Sequence, residues 1–138
     1  MIAMDENNQR TISVVFVPNL NMAVPKQEDT FFALLDVLSH GEPMWYESMR
    51  KEAKKKHFMH LESIDLIATH SNGQPLLLNR MGWAKINLCI AGFIRTPVRD
   101  AVQITEAGLA IWGKGSCCWS DLYETAAWKQ KMGSGLPG

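Results

Sequence analysis

Apolar side chains recur with a helical period along much of this chain. Phe31, Leu34, Leu35 and Leu38 keep the i, i+3, i+4, i+7 spacing of one helix face. That spacing predicts a helix from a Thr30 cap to about Ser39. His40-Gly41 ends it, because glycine takes the left-handed conformation that closes a helix. Pro43 then opens a predicted second helix reaching about His57. Trp45, Met49 and Ala53 are expected to face inward, with Arg50, Lys51, Lys54, Lys55 and Lys56 over much of the remaining surface. Residues 61–68 suit a short third helix, and Ser71-Asn72-Gly73-Gln74-Pro75 reads as a loop. The strongest signal comes next. Leu77, Met81, Ala84, Leu88 and Ala91 are spaced four, three, four and three apart, an unbroken stripe of a fourth helix that Gly92 stops.

The period then changes. Phe93 and Ile94 begin a short strand, Pro97 and Asp100 mark a turn, and Val102-Gln103-Ile104 returns as a second strand. Thr105 is placed to cap a helix through Trp112, with Glu106 in its first turn. Near the N-terminus the β-branched run at 11–17 predicts a strand, and Pro18, Asn19, Asn21 and Pro25 a loop. Past Gly113, residues 120–132 suit one more helix with Leu122, Ala126 and Lys129 on a face and Trp128 beside it. The final glycine-rich stretch is linker-like. These elements predict a mainly α chain with a small β-hairpin, in the α+β class. Earlier helices, then a helix, a hairpin and a closing helix make a winged helix-turn-helix. The predicted boundaries are an extension with one strand over 1–24, the winged-helix domain over 25–112, and a helix with a flexible tail over 113–138.

Composition narrows the class. Hydrophobic residues form 46% of the 138, which supports a packed core rather than global disorder. No run approaches the roughly 18 apolar residues of a membrane span. The early apolar stretch lacks a basic start and a small-residue cleavage site, so a cytoplasmic location and no membrane partner are expected. Cys89 sits in an apolar helical pattern and Cys117 and Cys118 are adjacent, so no C-x-x-C pair exists and free thiols are expected. Net charge is zero, yet unevenly spread. Residues 1–42 carry two basic and six acidic side chains, and residues 43–104 carry nine basic and five acidic. A zero total argues against strong nonspecific affinity for a polyanion, while the basic middle keeps a local polyanion footprint in play.

Several of these residues form a recognisable series. Asn79-Arg80-Met81-Gly82-Trp83-Ala84, then Leu88, then Ala91-Gly92-Phe93-Ile94, then Val102-Gln103-Ile104-Thr105-Glu106-Ala107-Gly108 resembles the N-terminal domain of the Mrr family of restriction proteins. That family's pattern runs roughly N-R-V-G-W-A, a Leu, A-G-L and W-R-I-T-E-x-G. Val24-Pro25 and the apolar residues from Phe32 to Leu38 are also similar to the family's start, and 122–129 faintly resembles the segment leading to its nuclease domain. The resemblance implies a winged-helix domain that presents double-stranded DNA, often modified, to a separate nuclease domain or subunit. It does not imply catalysis by this segment. An acid-x-lysine pair occurs at Glu52-Ala53-Lys54, inside a helical pattern rather than on adjacent strands. No enzyme activity, cofactor or metal is therefore expected. His57 and His60 are three apart without a third ligand in view, and His40 and His70 fall in loops.

The series departs from the family after Leu88. Basic residues often precede A-G there, whereas this chain has Cys89 and Ile90. The face opposite the core stripe shows Asn79, Trp83, Ile86 and Ile90, an apolar surface where a reading helix usually presents polar side chains. Either another element covers it, or the domain docks differently, or DNA binding is lost. Candidate DNA contacts are Asn79, Arg80, Lys85 and Asn87 on this helix, Arg95 and Arg99 on the hairpin, and Lys54, Lys55 and Lys56. Asn and Arg can each make paired hydrogen bonds to base edges, and all three residue types can contact phosphate. Their plain alternatives are a solvated helix flank, loop solubility, and a cationic run favoured by the helix dipole. Trp83 is expected in the core rather than stacked on a base. Ile86 and Ile90 are candidate interface residues for the competing reading, a protein-interaction or homodimer module. Trp112, Trp119 and Trp128 would pack on the strand at 11–17 or face a second chain.

Overall fold

The computed structural model describes residues 25–59 and 76–133. The strand expected at 11–17, the helix at 61–68, the loop at 71–75, the tail at 134–138, and His60 and His70 lie outside them. Helix α1 spans Gln27–Val37. It starts three residues before Thr30, because the Asp29 carboxylate accepts the Lys26 N–H at 3.0 Å and Glu28 and Asp29 occupy the first turn. Thr30 is no cap. It is fully buried, and its hydroxyl donates back to the Gln27 carbonyl at 2.7 Å. Phe31, Leu34, Leu35 and Leu38 are all fully buried, as the periodicity predicted.

After Gly41, with φ of 92°, the chain does not enter a helix at Pro43. Met44–Trp45 instead forms strand β1, and helix α2 runs over Tyr46–His57. The two residues are claimed by a distant strand: Met44 pairs with Val102 and Trp45 with Ala101, antiparallel. That register turns the Trp45 side chain outward, 61% exposed, against the inward expectation. Met49 and Ala53 do face inward and are fully buried. Lys54, Lys55, Lys56 and His57 fill the last turn of α2, the end where positive charge is favoured.

Helix α3, Leu76–Ala91, buries the whole predicted stripe of Leu77, Met81, Ala84, Leu88 and Ala91. It ends in a Schellman closure: the Phe93 N–H donates to the Leu88 carbonyl and the Gly92 N–H to that of Cys89, each at 3.0 Å. Gly92 takes φ of 84° there. Strands β2, Ile94–Arg95, and β3, Ala101–Ile104, pair antiparallel, giving a three-stranded sheet of order β1-β3-β2. Helix α4 spans Glu106–Lys114 and is capped by Thr105, whose hydroxyl accepts the Gly108 N–H at 3.1 Å and donates to the Gly92 carbonyl at 2.6 Å. One side chain thus joins the start of α4 to the end of α3.

The single helix expected over 120–132 is two: α5, Trp119–Tyr123, and α6, Ala126–Met132. Thr125 breaks the run by accepting the Trp128 N–H and so capping α6. The break rotates the buried face onto Leu122 and Trp128, while Ala126 and Lys129 face solvent. The tryptophans pack on the domain itself. Trp119 meets Phe31 edge-on with centroids 4.9 Å apart, and its backbone N–H donates to the Glu28 carboxylate at 2.8 Å. Trp112 donates from Nε1 to Asp36 at 2.9 Å. Cys117, Leu122 and Trp128 belong to the same core as α1 and α3. The fold is therefore mainly helical with a small antiparallel sheet, and α1 packs centrally against α2, α3 and α4.

Candidate nucleic-acid interface

The hairpin and two helices, α2 and α3, carry the cations singled out in the sequence. Arg95 and Arg99 both lie in solvent on the β2–β3 hairpin, and the Arg99 side chain is 96% exposed. Asp100, at 3.9 Å from Arg99, takes a positive φ of 64° and turns the chain back into β3. Its carbonyl accepts the Tyr46 N–H at 2.8 Å, which ties the hairpin base to the start of α2.

On α3 the candidates divide between two flanks. Arg80 donates from Nη1 to the Pro25 carbonyl at 2.9 Å, and Asn87 donates to the Gln27 side chain. Both hold the start of α1 against α3. On the other flank Asn79, Lys85 and Ile86 line an open groove of about 310 Å³ with Tyr46, Leu78, Gly82 and Trp83. Gly82 forms its floor: an added Cβ would stand 3.1 Å from the Tyr46 hydroxyl. Trp83 is 54% exposed rather than in the core, since its position on α3 turns away from the buried stripe. Ile86 is 42% exposed. Ile90 is partly buried against the core, and α5 and α6 pack on α3. The apolar α3 face is thus open near Trp83 and Ile86 and half-covered at Ile90.

The α2 lysines also separate. Lys54 and Lys55 line a shallow hollow with Lys51 and Met59. Lys56 points elsewhere, 2.8 Å from Asp36. Asp36 also accepts from His57 at 2.9 Å and from Trp112. Burial alone would raise the Asp36 carboxyl, but the hydrogen bonds from Lys56, Trp112 and His57 outweigh it and hold the group at about 2. Lys56 and His57 therefore serve the α1–α2–α4 junction. Glu52 and Lys54 lie on one helix with Ala53 buried between them.

Tyr46 was not singled out in the sequence, and Arg50, expected over the α2 surface, has a side chain only 14% exposed. The Arg50 guanidinium lies 4.6 Å from the Tyr46 ring centre and the Lys85 ammonium 5.3 Å from it. The i, i+4 placement of Tyr46 and Arg50 was visible in the sequence, and only the arrival of α3 gives it meaning. Burial, offset in part by Arg50, raises the Tyr46 phenol above its ordinary range, so the ring stays neutral. The thiols are free, and burial pushes Cys89 up and Cys117 to about 12. Among the described residues no three His, Cys, Asp or Glu side chains gather as a metal requires, and no helix is long and apolar enough to cross a membrane.

A small helical module whose central helix runs into a cation-bearing hairpin is the class defined by this geometry. The Mrr N-terminal domain family model matches residues 28–113, well over half of the chain, and the chain belongs to that family. Comparison with curated proteins and with solved structures finds no match.

Proposed function

We propose that this chain is a winged-helix DNA-reading module of a modification-dependent restriction system. The element order helix, strand, helix, helix, strand, strand, with β1 pairing back to β3, supports the winged-helix reading. The observation that carries the function is the hairpin: it follows α3 after only Gly92 and Phe93 and exposes Arg95 and Arg99. In this reading α3 enters the major groove with Asn79 and Lys85, and the hairpin arginines follow the backbone or the adjacent minor groove. Catalysis belongs to a partner nuclease domain or subunit, and the module acts where cellular DNA lies, in the cytoplasm.

The test is fluorescence anisotropy of labelled duplexes, unmodified and cytosine-methylated, at low and moderate salt. Saturable binding that weakens steeply with salt is expected, since each neutralised phosphate adds nearly one to the salt slope. Arg99→Ala and Arg95→Ala should weaken it in a folded chain. Absence of binding at low salt would overturn the proposal. Exposed Trp83 and Ile86 favour a second reading, an interaction or homodimer module. Ile86→Lys would then halve the solution mass of the parent species.

A further inference from the structure

We propose that Tyr46, Arg50 and Lys85 build an anchor for one DNA backbone phosphate at the edge of the α2–α3 groove, with Lys85 as the contact and Tyr46 as the residue that aims it. This rests on the DNA-binding reading above and adds a site on the edge of α3. Lys85 lies over a tyrosine ring that α2 supplies, and no carboxylate among the described residues pairs with it. Among the described residues, the groove lining contains no acid. Arg50 holds the ring from its own helix, with Nη2 fixed 2.8 Å from Glu47 and only 14% of its side chain exposed. Its Nε is buried without a hydrogen-bond partner. Two cations therefore share one ring while a single, 71% exposed acid serves them. The surplus of one positive charge matches one phosphodiester.

The ring also removes the usual cost of a lysine contact. A free lysine gives up most of its rotamer freedom when fixed. Held over Tyr46, Lys85 has already given up part of that freedom, so the phosphate meets a preorganised charge. Gly82 keeps the arrangement open, because a larger residue there would press on the Tyr46 hydroxyl.

The experiment measures the salt slope of duplex binding for the full chain and four variants. Lys85→Gln is expected to lower the slope by about 0.9, the loss of one phosphate contact. Lys85→Arg should restore it. Tyr46→Leu, which leaves every charge in place, should also lower it, while Tyr46→Phe should not. Lys129→Gln, an equal charge change on the exposed face of α6, sets the baseline for total charge. A Lys85→Gln slope equal to that of Lys129→Gln, with the parent still binding, overturns the anchor and leaves the DNA reading standing. A parent that binds no duplex at low salt removes both. Should Tyr46→Leu fail to fold by circular dichroism, the Lys85 pair still decides.

Discussion

Replacing Asp36 by Ala should cost the domain about 1–2.5 kcal/mol at neutral pH. The Asp36 side chain of α1 reaches both α2 and α4, through Lys56, His57 and Trp112. Its carboxyl stands at about 2 against an ordinary 3.8. At about 1.4 kcal/mol for each tenfold in acidity, that gap bounds its charge-linked contribution near 2.5 kcal/mol. The Lys56 end is 60% exposed, so screening lowers the expected value toward the bottom of the range. Because the folded value is depressed, the native state holds fewer protons than the unfolded chain between about pH 4 and pH 2. The contribution is thus complete above the unfolded value and fades as pH falls through the folded one. Urea unfolding of parent and Asp36→Ala at pH 7, 4 and 2.5 reads this directly. The difference should be largest at pH 7 and shrink by more than half at pH 2.5. Asp121, also held low, is common to both chains and cancels. Equal losses at pH 7 and pH 2.5 would refute the linkage, and a loss under about 0.5 kcal/mol at pH 7 would refute the hub.

Gly108→Ala should be among the most damaging single changes, because an added Cβ would collide with the Phe93 carbonyl and come within 2.8 Å of Ile104 Cγ1. A loss above about 3 kcal/mol is expected in urea titration, or failure to fold at all. Thr105→Ala removes both the α4 cap and the bond to the Gly92 carbonyl, and should lower stability by about 1–2 kcal/mol. A chain ending at residue 115 loses Cys117, Leu122 and Trp128 from the core and the Trp119 contact on Phe31. With about 3–5 kcal/mol for one buried tryptophan removed, it should lose its cooperative melt; a sharp transition near the parent's would show that the last two helices are dispensable.

The sequence disclosed what local periodicity decides and missed what distant partners decide. The α1 and α3 stripes, the Gly92 stop and the Thr105 cap were all legible, because each depends on residues within a turn or two. Pro43 misled because β1 exists only through pairing with Val102 and Ala101, nearly sixty residues away. Trp83 misled because residue type suggests burial while position on α3 dictates exposure. Among the site residues, Lys85 and the hairpin arginines were visible as charge, but charge alone does not say which cations are already engaged. Lys56 is taken by Asp36, and Arg80 reaches the Pro25 carbonyl, and neither fact has a local signature.

The residues that carry the family resemblance are mostly those that hold α3, the hairpin and α4 together. Ala91 is buried, Gly92 makes the left-handed closure, Thr105 bonds both helices, and Gly108 lets α4 lie on the Phe93 backbone. Each fixes how the hairpin leaves α3, and none of them presents a functional group to solvent. Gly82 extends the same logic to the seam between α2 and α3. The motif therefore specifies how the hairpin leaves the helix. Ile86 and the hairpin arginines lie exposed on that frame. A departure such as Ile90 in place of a basic residue leaves that frame unchanged, and its partial burial against the core accommodates an apolar side chain there.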